Sequence, residues 1–364
     1  MMCNVLTCEQ IDKTEWSRLV ASSSTGTWFQ TLEAYNFYES MPDLFRSFVV
    51  GIASLQFPPE GRIEQRGSNS LPFREGQGNR LLLRGVCVGY VTVEKSPIKQ
   101  FLTRRAIIIG GPALADDASS EEVEFLMNGV KELMSERING APIYIETRNF
   151  NDYRRWKEAF KKAGFEYMPH LNFHVDTSSV EVVEANLGKS RKRDIRTTIR
   201  EGVTIIEKPT KEQIMEYYSI LDDLYKTRVK TPLFPLPFFL ELYRHKDARF
   251  LLTELNGKII GGTVCVAQEG KCLYEWFACG EDGVYPHVFP SCYATYAGIK
   301  YAAEHGMPRF DMMGAGKPDE AYGVRDFKAK FGGKEVEHGR FLCITKPQLY
   351  KIGVLGVKIL KKLK

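Results

Sequence analysis

Phe327-Lys328-Ala329-Lys330-Phe331-Gly332 sets two aromatics four residues apart with a lysine beside the first. On a helix, Phe327 and Phe331 share one face and anchor it in a core, so Lys328 points elsewhere, toward a cleft. Upstream, Asp311-Met312-Met313-Gly314-Ala315-Gly316 puts an acid on an apolar strand that runs into a GxG turn. Backbone N–H groups left open at Gly314 and Gly316, with a lysine ammonium opposite, suit a developing oxyanion. Asp311 or a carboxylate of the substrate is the candidate proton acceptor. Tyr322 and Arg325, between these motifs, and Trp276, on an earlier strand, are candidate substrate contacts.

Two cationic features lie upstream. Lys189 to Arg200 holds six basic residues and one acid, with Arg196 near its middle. It reads either as a solvated helix face or as a surface for phosphate or RNA. Arg228 precedes Pro232, Pro235 and Pro237, which fix an extended path, and its guanidinium suits a phosphate. A structural salt bridge is the other reading of Arg228.

The elements that must position these residues occur twice. Val88–Val93 resembles Ile260–Val266, and Arg105–Gly110 parallels Leu273–Gly280, as strands with glycines at their ends. A helix follows in each half, with Gly129-Val130-Lys131 in one and Gly298-Ile299-Lys300 in the other. Strands Pro142–Glu146 and Pro308–Met312 come next, then short helices with Phe160-Lys161 and Phe327-Lys328. A constant order at an offset of about 170 residues predicts a duplicated α/β (α+β) domain with a mixed central sheet flanked by helices. The expected division is 1–176, 177–345 and a basic C-terminal helix over 346–364. The second copy should open with a helix over Val180–Glu201, followed by one over Lys211–Lys226 capped by Thr210. The Pro- and Gly-rich stretch Leu55–Arg80 is expected to be a lid or a disordered loop.

Length and composition agree with two globular domains. The chain has 364 residues, 43% apolar and 26% charged. The N-terminus lacks a secretory signal, and no apolar run is long enough to span a bilayer, so a cytoplasmic protein is expected. Eight cysteines without a CxxC pair fit reduced, buried thiols. No metal site is expected. His170 and His174 are read as core or surface histidines.

In this order the motifs resemble the Fem-type peptidyltransferases (the FemABX group) and the related GNAT-type acyltransferases. The resemblance runs from Thr27 to Ile344. It rests on Phe29-Gln30, Gly110-Gly111-Pro112, the Arg193–Arg196 helix with Gly202-Val203, and Phe327-Lys328-x-x-Phe331-Gly332. It implies tandem GNAT-like domains, no tightly bound cofactor, and transfer of an acyl or aminoacyl group to an amine. In Fem-type enzymes the donor is aminoacyl-tRNA and the acceptor a peptidoglycan precursor. The resemblance assigns Lys328 to the tetrahedral intermediate and Arg228 to the acceptor's diphosphate.

The chain also departs from that pattern. No lysine follows Phe29-Gln30 within Thr31–Glu39, and no long coiled-coil arm occurs. The nearest match to a GNAT pyrophosphate loop, Arg137–Pro142, closes a helix instead of opening one. An acyl-CoA-dependent N-acyltransferase of a small or lipid-linked amine, and a non-catalytic binding module on the same fold, are the alternative functions.

Charge is unevenly placed. From Lys346 onward there are six lysines and no acid, so the net +5 leaves −1 for everything before it (5 − 6). Leu349, Ile352, Leu355, Ile359, Leu360 and Leu363 recur at helical spacing. This tail is either a docked helix or a basic amphipathic segment that touches the inner membrane face.

Overall fold

The computed structural model describes residues 3–56, 80–136 and 141–362. Most of the Leu55–Arg80 insertion and of the Arg137–Pro142 stretch lies outside the described residues. The chain forms two compact units: Met1–Met168 with Arg340–Lys364, and Pro169–Gly339.

The first unit contains β1 (Cys3–Leu6), α1 (Lys13–Ser22), α2 (Leu32–Glu39), β2 (Phe45–Gln56), β3 (Arg80–Thr92), α3 (Pro97–Thr103), β4 (Ala106–Gly110), β5 (Ala113–Leu114), α4 (Ser120–Glu136), β6 (Tyr144–Asn149), α5 (Lys157–Lys162) and β7 (Glu166–Met168). The second contains β8 (Leu171–Asp176), α6 (Val180–Asn186), α7 (Lys189–Arg200), β9 (Thr204–Ile206), α8 (Lys211–Leu224), α9 (Leu236–Arg244), β10 (Ala248–Leu255), β11 (Lys258–Gln268), β12 (Cys272–Gly280), α10 (Pro290–Glu304), β13 (Arg309–Asp311), α11 (Gly323–Ala329) and β14 (Lys334–Glu337). The chain then returns to the first unit as β15 (Arg340–Ile344) and α12 (Pro347–Lys362).

The first sheet runs β1-β2-β3-β4-β6-β15-β7, with β5 on β3. The second, taken from its other end, runs β9-β10-β11-β12-β13-β8-β14. They correspond strand for strand, and in each only the central pair, β4–β6 or β12–β13, is parallel. All five sequence correspondences fall in equivalent elements: β3 with β11, β4 with β12, α4 with α10, β6 with β13, and α5 with α11.

The unit boundaries differ from 1–176 and 177–345. β8 lies in the second sheet, and β15 lies in the first between β6 and β7. Packing decides this, because each strand follows its buried side chains and not its neighbour in sequence. Leu171, Phe173 and Val175 of β8 belong to the second core, with Phe310, Ile299 and Phe331. Phe341 of β15 stacks on Phe160 at 3.9 Å between ring centroids in the first core. In that core α4 supplies Val123, Leu126, Met127, Val130 and Met134. Their 3.6-residue periodicity buries one helix face, at roughly 1.5–3 kcal/mol for each large side chain.

The helix expected over Val180–Glu201 is two helices. Leu187 is extended, with ψ 131°, and Gly188 N–H donates to the Lys330 carbonyl at 3.0 Å. A Cβ on Gly188 would meet that carbonyl oxygen at 2.9 Å, so the chain breaks where two backbones touch. Thr210 caps α8 through a reciprocal capping box with Gln213, but α8 ends at Leu224 and gives way to a π-helical turn over Tyr225–Val229.

Candidate active site

The site is built where β12 and β13 part. Their parallel pairing covers only Cys272–Arg309, Leu273–Phe310 and Tyr274–Asp311. Beyond Tyr274, β12 continues to Gly280 paired with β11 alone. The register with β11 slips between Val264–Phe277 and Cys265–Glu275, so Trp276 is the extra residue of a β-bulge. Its ring meets Phe238 edge-on at 5.3 Å and stacks on Phe277.

After Asp311 the backbone turns away along β8 through left-handed conformations. φ is 52° at Met313, 107° at Gly314 and 78° at Gly316. Such values suit glycine and strain Met313. Hydrogen bonds hold the turn. Met312 N–H donates to the Phe173 carbonyl at 3.0 Å and Ala315 N–H to the Leu171 carbonyl at 2.7 Å. Met313 N–H donates to Asp311 Oδ1 and Gly314 N–H to Asn172 Oδ1, both at 2.8 Å. The amide of Gly314, expected to stand open for an oxyanion, is therefore already occupied. Asp311 and Asn172 take the Met313 and Gly314 donors, and the Met312 and Gly314 carbonyls are left to accept.

Those carbonyls receive Lys328. Its Nζ donates to the Met312 carbonyl and, at 2.7 Å, to the Gly314 carbonyl. Burial pulls its pKa below the usual lysine range, while Glu275 and Asp311 oppose that shift. α11 is fixed by an element far away in sequence. Arg191 Nη2 donates to the Phe327 carbonyl at 3.3 Å, and its guanidinium lies 4.4 Å from the Phe327 ring centroid and 5.0 Å from that of Phe331. Phe331 is fully buried. The expected aromatic anchor therefore exists, and a buried arginine clamps it.

Asp311 is wholly buried and accepts from Asn172 Nδ2 at 2.8 Å, while His174 Nε2 lies 3.1 Å from its other oxygen. Burial alone would raise its pKa, but His174, Arg309 and Asn172 outweigh burial and hold it below the ordinary range. Neither Asn172 nor the His174–Asp311 pairing was found in the sequence. Strand alternation places them on the Asp311 side only once β8 is assigned to the second sheet.

Glu275 is the other missed residue. It sits on β12 next to the bulge, buried, and accepts from Thr263 Oγ1 at 3.2 Å. Burial raises its pKa, with Lys328, Thr295 and Thr263 opposing. A charged residue inside an apolar strand was the available signal.

The remaining candidates lie around this centre. Arg325 donates to the Ala315 carbonyl at 3.1 Å and to those of Lys317 and Pro318, so it braces the loop between β13 and α11. Tyr322 is 45% exposed, and a Cβ on Gly316 would meet its ring at 2.8 Å. Arg228 is exposed on the π-helical turn. Arg196 is exposed on α7, where Lys189, Lys192, Arg193 and Arg200 join it in lining one shallow depression. Among the described residues no group of three His, Cys, Asp or Glu is placed to hold a metal ion.

Residues 189–328 match the family described as acetyltransferase (GNAT) domain, a span that begins at the first residue of α7 and ends at Lys328. The structure of FemX is similar over 97% of this chain and 99% of that one, with a TM-score of 0.66 and 14% identity. The C-terminal domain of a putative lysylphosphatidylglycerol synthetase from Agrobacterium fabrum aligns over 93% of both chains, with a TM-score of 0.53 and 13% identity. A tandem GNAT protein from the clavulanic acid biosynthesis pathway aligns over 94% of this chain and 98% of that one, with a TM-score of 0.52 and 9% identity. No curated protein sequence matches the chain. With one sheet order repeated in both units, the chain has a duplicated GNAT-like fold similar to that of FemX, and residues 189–328 of its second unit match the acetyltransferase (GNAT) domain family.

Proposed function

We propose that the protein is an acyltransferase that moves an aminoacyl group from aminoacyl-tRNA to an amine on a cell-wall precursor. The observation that carries the reading is Lys328. Its ammonium is buried at the point where two parallel strands separate, held by two carbonyls and flanked by the carboxylates of Glu275 and Asp311.

The acceptor amine attacks the donor's ester carbonyl and forms the new C–N bond. Lys328 meets the oxyanion of the tetrahedral intermediate. Collapse breaks the C–O bond to the tRNA ribose, whose oxygen leaves with the proton that Glu275 takes from the amine. The amine proton passes to Glu275, whose raised pKa suits a base. Asp311 positions the Met312–Gly314 carbonyls through Met313 N–H and Asn172. Phe327 sets the lysine's helix under Arg191. The unpaired edge of β12, which carries Trp276, offers backbone groups to an extended substrate, and the half-exposed Tyr322 lies by Gly316. Arg228 supplies a free guanidinium for an acceptor diphosphate.

The basic face of α7, Arg196 included, favours a polyanionic donor. An acyl-CoA donor is the second reading, supported by the GNAT match; the chemistry is the same with a C–S bond broken. Single-turnover transfer assays with charged tRNA and with acyl-CoA, on one amine acceptor, test the proposal. Lys328-dependent transfer from tRNA is expected. Transfer from acyl-CoA alone selects the second reading, and transfer from neither leaves a binding module.

A further inference from the structure

The first unit carries a surface that its own core does not use. α3 is a seven-residue helix with Pro97 at its start, and Ser96 Oγ accepts from Lys99 N–H at its cap. None of its side chains is buried. Yet Ile98 is 73% exposed, Phe101 58% and Leu102 44%. A short helix gains its stability from the apolar face it packs, and this one leaves that face in water.

α12 packs beside α3 and repeats the feature. Tyr350 is pinned edge-on to Tyr144 at 5.6 Å. On the other side Ile352 is 61% exposed and Leu355 62%, one helical turn apart. Lys346 Nζ lies 5.8 Å from the Phe101 ring centroid and joins the two helices. Lysines stand beside these apolar residues in sequence, Lys95 and Lys99 at α3 and Lys346 and Lys351 at α12; Glu94 is the acid beside α3. The tail continues with four more lysines and no acid.

We infer that α3 and α12 together form a docking face for an anionic lipid membrane. Adjacent helices offering exposed aliphatic and phenyl side chains interspersed in sequence with lysines match an interfacial helix, which sinks its apolar side into the headgroup region. Among the described residues no helix is long and apolar enough to cross a bilayer, so the contact lies on the surface. Charge complementarity selects anionic lipid, each lysine near the surface contributing about fivefold to binding. This inference stands apart from the acyltransferase reading and survives its failure.

Co-sedimentation of the full chain with phosphatidylcholine vesicles, and with vesicles of equal parts phosphatidylcholine and phosphatidylglycerol, tests it. Binding is expected to the anionic vesicles and to weaken with salt. Ile98→Glu with Phe101→Glu should lower the bound fraction at least ~10-fold, and Lys346→Glu with Lys351→Glu by a comparable factor. These side chains are outside the core, so an unchanged melting temperature separates lost docking from lost folding. Undiminished binding by either double variant, equal binding to neutral vesicles, or no binding overturns the inference. So does a concentration-dependent dimer in light scattering that the Ile98/Phe101 variant dissolves, because a second copy would then be the occupant.

Discussion

The two sheets share one strand order, yet their central strands separate at different places. In the first unit β4 and β6 stay paired through five residues, from Ala106–Ile145 to Gly110–Asn149. There the opening lies between β3 and β4, which pair only at Tyr90–Ile107 and Val91–Ala106. Gln30 closes it. Its carboxamide accepts from Val88 N–H at 2.7 Å and donates to the Val88 and Ile109 carbonyls at 3.1 and 2.9 Å. In the second unit β11 and β12 pair along their length apart from the bulge, and β12 leaves β13 after three residues. A side chain satisfies the backbone of the first opening, as buried polar groups require. The second holds a lysine ammonium and two carboxylates. Duplication thus supplied two similar frames, and the difference between a plugged gap and a charged one supports placing the chemistry in the second unit.

The largest expected effect breaks the charged gap. Lys328→Met should lower the transfer rate by ~10²–10³, the usual loss for an oxyanion donor, with little change in KM. Full activity on an identified substrate would remove Lys328 from the mechanism.

Asp311→Asn attacks the frame beneath that lysine. Hydrogen bonds to charged groups contribute ~1.5–3 kcal/mol, so a stability loss of that order is expected. The wild-type contribution depends on pH. The folded pKa of Asp311 lies below its ordinary value of about 3.8. Its stabilisation is therefore full above that value and fades as pH falls through the lower folded value. Urea denaturation between neutral and acid pH should show Asp311→Asn with a shallower acid loss than wild type. Parallel pH curves would mean that Asp311 does not contribute through its charge.

Gln30→Ala tests the plug. It leaves three buried backbone groups without their partner, at a cost of ~1–3 kcal/mol in total if water enters. The melting temperature should fall while Lys328-dependent turnover by the remaining folded protein is unchanged. Equal loss of turnover would mean that the first unit takes part in the reaction.

The repeat was legible in sequence because it rests on local order, with glycine-ended strands, helices of one period and a Phe-Lys pair in each half. Lys328, Asp311 and Arg228 stood out because their residue types are costly or unusual in their surroundings. Glu275 was passed over inside an apolar strand, although a buried carboxylate there needs partners. Asn172 and His174 were hidden by a non-local fact. β8 follows β7 in the chain but packs with β13, and no local pattern says in which sheet a strand will lie. The GxG turn misled for a related reason: its glycines predict left-handed backbone correctly, but which groups face the cleft depends on Asp311 and Asn172 taking the amides.

The smallest expected effect sharpens the comparison most. Phe160-Lys161 in α5 is the counterpart of Phe327-Lys328 in α11, and both phenylalanines pack on their unit's core. Lys161, however, is exposed and donates to no strand carbonyl among the described residues, whereas Lys328 donates to those of Met312 and Gly314. With β4 and β6 still paired and Gln30 filling the gap between β3 and β4, the first unit leaves no opening for a lysine to enter. Lys161→Met should therefore change stability by no more than ~0.5 kcal/mol and leave transfer at the wild-type rate, measured alongside Lys328→Met under the same conditions. A rate loss at Lys161 would show that the equivalence of the two units extends to function, and that a zipped pair of strands does not silence a Phe-Lys pair.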